Sequence, residues 1–146
     1  MPYPKPVPGL IIRYSYLWRE EYVTGHDEGT KDRPCAVILT LETVADEFQV
    51  FVLPITHTPP TNPDDGLEIP KATKQRLGLD NQQSWIVLTE ANEFIWPGPD
   101  LRPKEPRGDP YDIVFGALPK TLFCQMRDRF VEKLKTKNAG RVPRTK

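Results

Sequence analysis

Apolar positions along the chain fall into short runs separated by proline- and glycine-rich polar stretches. Residues 9–18 (Gly-Leu-Ile-Ile-Arg-Tyr-Ser-Tyr-Leu-Trp) are β-branched and aromatic and too short for a lone helix, which predicts a first strand. Residues 20–32 are polar, contain Gly25 and Gly29 and exceed an ordinary hairpin connection, the profile of a functional loop. Pro34 opens a second strand. Residues 35–41 and 48–55, separated by the acidic turn 42–47, have the pattern of an antiparallel hairpin.

Residues 58–66 consist of turn-forming types and predict a loop. A short strand at 67–69 follows, then a short helix from Pro70 to Leu77 with Gly78 as its stop. Residues 84–89 and 92–96 are strand-like, as one broken strand or two, and 97–110 form another loop. Residues 111–116 predict the last strand. The one strongly periodic helix runs from about Pro119 to Lys137, with Leu122, Phe123, Met126, Phe130 and Leu134 on one face and residues 138–140 as its stop. Such a series points to one mainly β domain of five to seven antiparallel strands in a curled sheet or barrel, closed by a C-terminal helix. There is no internal repeat.

A chain of 146 residues can bury one core without disulfides or metal, so residues 1–146 are expected to be a single domain. No apolar run approaches the roughly 20 residues of a membrane span, and residues 1–8 lack the apolar centre of a signal peptide, giving the expectation of a soluble, cytoplasmic protein. Prolines in those eight residues predict an extended N-terminal arm outside the sheet. Net charge is zero, but residues 120–146 carry nine basic and two acidic side chains, leaving 11 basic and 18 acidic in the remainder. The balance excludes bulk electrostatic coating of nucleic acid, and the C-terminal excess reads as a solvated helix face followed by a mobile basic tail, 138–146. Cys35 and Cys124 sit among apolar residues as small hydrophobes, and with His26 and His57 they make no metal-ligand spacing, so no metal or cofactor is expected.

Three features then follow in order: Lys31-Asp32-Arg33-Pro34 leading into strand two, Leu53-Pro54-Ile55-Thr56-His57 ending strand three, and Val87-Leu88-Thr89-Glu90 ending a later strand. With Phe115-Gly116-Ala117-Leu118-Pro119 before the final helix, their order and spacing resemble the PemK/MazF family of toxin endoribonucleases over roughly residues 9–137. The resemblance implies an SH3-like curled antiparallel β-barrel, a homodimer, metal-independent cleavage of single-stranded RNA and neutralisation by a small antitoxin protein. It implies catalytic roles for Arg33 and Thr56, with Glu90 where some members carry a catalytic aspartate. His57 departs from the family pattern, as does Glu90-Ala91-Asn92-Glu93-Phe94, which lacks the family's Gln-x-Arg element.

The residues support that chemistry in their own right. Cleavage through the 2′-hydroxyl needs a base, an acid and charge at the phosphorane oxygens. A guanidinium such as Arg33 grips two phosphate oxygens in one plane, and Thr56 can donate to the same phosphate. His57 adds an imidazole, a side chain suited to proton transfer, as a candidate base or acid. Lys31, Trp18 and Trp96 are the candidate RNA contacts, the tryptophans by stacking bases. Asp27, Glu28 and Asp32 are unfavourable neighbours for phosphate unless paired with Lys31 or Arg33, and His26 reads as a surface residue. Other readings are a catalytically weak RNA- or protein-binding module on the same barrel and a proline-peptide adaptor.

Overall fold

The computed structural model describes residues 3–25 and 31–144. His26, Asp27 and Glu28 lie outside the described residues. Eight strands form one sheet: β1 (Leu10–Tyr14), β2 (Arg33–Glu42), β3 (Phe48–Thr56), β4 (Gly66–Glu68), β5 (Trp85–Val87), β6 (Glu90–Trp96), β7 (Val114–Ala117) and β8 (Gly140–Pro143). Among the described residues, three helices, α1 (Arg19–Val23), α2 (Lys71–Leu77) and α3 (Lys120–Lys135), accompany the sheet with a 3-10 turn at Pro63–Asp65. All strand pairings are antiparallel except β6 with β8, and no pairing among the described residues closes the sheet on itself. None of the described helices is long and apolar enough to cross a membrane.

Strand β3 organises the sheet. One edge pairs with β2 from Glu42↔Phe48 to Cys35↔Pro54. Its other edge is divided: 48–52 pair with β6, and Ile55 and Thr56 pair with β5. Pro54, which has no N–H to give, stands in the gap between the two partners. A register shift between Val37 and Leu39 sets Ile38 as an extra residue in β2, the kind of bulge that sharpens local twist.

Alternation of side chains across the pleat builds two cores. Ile11, Ala36, Ile38, Leu53 and Ile55 face one cluster, which Leu118 and, on α3, Leu122, Met126 and Phe130 cover together with Leu77 of α2. Ile12, Cys35, Val37, Val50 and Val52 face a second cluster with Tyr14, Tyr16, Phe94, Trp96 and Ile113. With both faces covered, β2 reads as the continuous apolar run Cys35-Ala36-Val37-Ile38 instead of alternating with polar residues. Cys35 is fully buried in this second cluster, where desolvation holds its thiol well above the ordinary range. Gly116, at φ +146°, lets β7 pass close to α2; a Cβ there would come within 2.7 Å of Leu77 Cδ2.

The structure corrects the sequence reading at several places. The described residues hold eight strands, the residue range 20–32 opens with α1, and Leu134 is 44% exposed and falls off the buried stripe of α3. The last strand is β8, which adds to β6 within the stretch expected to be a mobile tail. Arg144 follows it into the interior, pairing with Asp100 at 3.0 Å and donating to Ser15 O at 2.8 Å and Asn92 Oδ1 at 3.0 Å. Charged residues are buried when paired and hydrogen-bonded, a condition no composition count reveals. The N-terminal arm is extended as expected but docked, since Pro4 O accepts from Trp96 Nε1 at 3.0 Å. Trp96 is therefore enclosed, at 3% exposure, and has no face for RNA.

Candidate functional site

Antiparallel pairing of β2 and β3 sets the start of one beside the end of the other, so Arg33 and Thr56 meet although 23 positions apart in sequence. Both line a cleft of about 310 Å³ with Lys31, His57, Lys74 and Asp80. Arg33 Nη1 donates to Ile55 O at 3.3 Å, and its guanidinium carbon lies 4.9 Å from the centroid of the Trp18 ring. That contact is a cation–π geometry, and it leaves Trp18 as a positioning wall for Arg33. The Nε of Arg33 is buried without a hydrogen-bond partner among the described residues. No described carboxylate pairs with Arg33: Asp32 turns instead to Arg13 at 3.9 Å and Arg102 at 3.6 Å.

Thr56 Oγ1 accepts the backbone N–H of Thr58 at 3.2 Å, which fixes the hydroxyl and leaves its own proton to donate. His57, just past the strand, places Nε2 2.6 Å from Asp80 Oδ2. The other oxygen of Asp80 accepts from Lys74 Nζ at 2.7 Å. Lys74 is 4% exposed and is further held by Ser84 Oγ at 2.7 Å and by a hydrogen bond to Gln82 O. Partial burial works to raise the Asp80 pKa, but hydrogen bonds from Lys74, His57 and the Gln82 backbone outweigh it and hold the carboxyl below its ordinary value. An ionised Asp80 takes a donor at Nε2, so the neutral His57 ring carries its lone pair at Nδ1.

Glu90 lies elsewhere, outside the lining of this cleft. Its Oε1 accepts from Tyr16 OH at 3.1 Å and from the backbone N–H of Arg19 at 2.9 Å, so it ties α1 to the β1 side of the molecule. Desolvation raises its pKa, opposed by those two hydrogen bonds. The structure thus gathers Arg33, Thr56, His57 and Lys31 in one cleft, sets Trp18 beneath Arg33, and keeps Glu90 and Trp96 apart from it. Sequence reasoning missed Lys74 and Asp80. Lys74 carried a signal, because it stands one helical turn before Leu77 on the buried side of α2, where a lysine must find partners.

Among the described residues, no group of three or more His, Cys, Asp or Glu side chains is arranged to hold a metal ion. Comparison with protein-family models, with curated proteins and with solved structures finds no match to this chain.

Proposed function

We propose that the protein is a toxin-like endoribonuclease that cleaves single-stranded RNA by attack of the 2′-hydroxyl on the adjacent phosphate. The observation that carries this reading is the convergence of Arg33, Thr56 and the His57–Asp80 pair on one cleft. The Arg33 guanidinium, which no described carboxylate pairs with although Asp32 and Asp80 line the same cleft, matches a phosphate whose charge grows in the phosphorane. Thr56 adds a neutral donor to the same oxygens. His57 Nδ1 takes the proton of the 2′-hydroxyl, while Asp80 holds the ring and balances the imidazolium that forms; as the 2′-oxygen bonds to phosphorus the P–O5′ bond breaks, leaving a 2′,3′-cyclic phosphate, and the departing 5′-oxygen takes a proton from solvent. The substrate supplies its own nucleophile, so no bound metal has a necessary role in this scheme.

The wider expectations belong to the same proposal: an SH3-like curled barrel, a homodimer, a cytoplasmic site of action and a small antitoxin as partner. The divided edge of β3 and the burial of both sheet faces support the curl. A second reading, a binding module on this barrel with weak or absent catalysis, is favoured by the placement of Glu90 outside the cleft, which removes one candidate acid or base. The test is incubation of the purified protein with a long single-stranded RNA in EDTA. Products ending in 2′,3′-cyclic phosphate support the nuclease; binding without cleavage supports the module.

A further inference from the structure

Beside the Arg33 cleft lies a second one, of about 400 Å³, and the two share Thr56 and Thr58. The second cleft is walled by Trp18, Trp85, Pro60 and Asp65. Its position follows from register: Thr56 on β3 is paired directly with Trp85 on β5. Residues opposite one another in an antiparallel pair project to the same side with their Cβ atoms about 5 Å apart. The indole of Trp85 therefore stands next to the hydroxyl that faces the phosphate site. Pro60 is seated against Gly66, where a Cβ would come within 2.9 Å of Pro60 Cγ, so the loop that forms the far wall is held in place before any ligand arrives.

One polar group differs from the rest of this lining. Asp65 Oδ1 accepts from Lys133 Nζ at 2.8 Å, and its other carboxylate oxygen has no hydrogen-bond partner among the described residues. A carboxylate oxygen only accepts. It favours a ligand that presents N–H donors and disfavours one that presents a carbonyl oxygen at the same point.

We propose that this second cleft is a nucleobase subsite, in which Trp85 stacks the base next to the phosphate held by Arg33 and Asp65 accepts from an exocyclic amino group of that base. The inference rests on the nucleic-acid reading of the Arg33 cleft and specifies its substrate: adenine, cytosine or guanine at this position in preference to uracil. The stacking face is provided by Trp85 because Trp18 is already engaged by the Arg33 guanidinium. Aromatic stacking binds any base, and the choice among bases comes from Asp65.

The experiment uses the full chain and four uncleavable probes, 2′-O-methyl hexanucleotides of A, C, G or U, with binding read by tryptophan fluorescence. Trp96 is enclosed, so the signal reports Trp18 and Trp85. The A, C and G probes should bind about tenfold more tightly than U, the scale of one hydrogen bond to a charged group. Asp65→Asn should bring the four together, Trp85→Ala should weaken all of them by about tenfold or more, and Trp85→Phe should restore most of the loss. Arg33→Ala should weaken all four without changing their order. Equal binding of the four probes, no binding of any, or indifference to Trp85→Ala in a folded variant overturns the subsite. If the probes behave as expected while the parent cleaves no RNA, the subsite stands and the nuclease falls. If the parent cleaves RNA while its probes do not discriminate, the subsite alone falls.

Discussion

His57 Nε2 and Asp80 Oδ2 lie 2.6 Å apart, although His57 follows β3 and Asp80 follows α2. Lys74, buried on α2, holds the opposite oxygen of the same carboxylate and so fixes where that carboxylate points. A histidine held in this way offers the lone pair of its other nitrogen in a fixed direction, the arrangement a general base requires.

The first prediction concerns that pair. His57→Ala should lower the single-turnover cleavage rate on the order of a hundredfold or more, the usual contribution of a positioned general base. Asp80→Asn should lower it less, since the ring stays in reach but loses the charge that balances the imidazolium. Rate measurements across pH check this, with the acidic limb of the parent profile, where a general base is lost to protonation, altered in both variants.

The second concerns Glu90. Glu90→Gln keeps an acceptor for Tyr16 OH and the Arg19 N–H and should leave cleavage within about twofold of the parent, whereas loss of a true catalytic acid or base costs at least about a hundredfold. Glu90→Ala leaves the buried Tyr16 hydroxyl unpaired and should destabilise the fold by about 1–3 kcal/mol, read by urea unfolding.

A third prediction follows from the opposite pKa shifts of two carboxyls. Asp80 is lowered in the folded state, so its contribution is present above the ordinary carboxylate range and is lost as pH falls through the lowered value. Glu90 is raised, so the folded state takes up its proton before the unfolded chain does, and the cost of burying its charge is relieved as pH falls through the raised value. The stability of the parent relative to Glu90→Gln should therefore rise as pH falls through that window, while relative to Asp80→Asn it should fall at lower pH. Urea unfolding of the three proteins over the acid range reads both slopes.

The C-terminal lock gives a fourth. Asn92, fully buried, exchanges hydrogen bonds with the Leu17 backbone and accepts from Arg144, which also pairs with Asp100. Arg144→Ala leaves the Asp100 carboxylate without this partner and should cost about 3–5 kcal/mol, the range for removing one member of a buried ion pair. Protease digestion should then cut the chain near β8, which the parent resists.

Much of this architecture was legible in the sequence where periodicity and turn chemistry agree. The β2–β3 hairpin, the α2 stop at Gly78 and the Leu122-Met126-Phe130 face of α3 all emerge from local pattern. Because a hairpin fixes which residues become neighbours, the approach of Arg33 to Thr56 was legible too. What was not legible depends on contacts distant in sequence. Asp80 becomes a site residue only when α2 packs against the end of β3, and Arg144 becomes a core residue only when Asn92 and Asp100 are in place to receive it. Trp96 shows the converse, since nothing local distinguishes an indole that meets RNA from one whose N–H is taken by the carbonyl of Pro4.

In the proposed reaction Arg33 and Thr56 act together on one phosphate of an RNA strand. The direct measurement is single-turnover cleavage of a long single-stranded RNA in EDTA by the parent, Arg33→Ala and Thr56→Val, each first shown to be folded by circular dichroism. The parent should cleave to 2′,3′-cyclic phosphate ends, Arg33→Ala should lose on the order of a hundredfold or more in rate, and Thr56→Val, close in shape but without the hydroxyl, should also lose rate. Folded variants that cleave as fast as the parent would contradict that joint action.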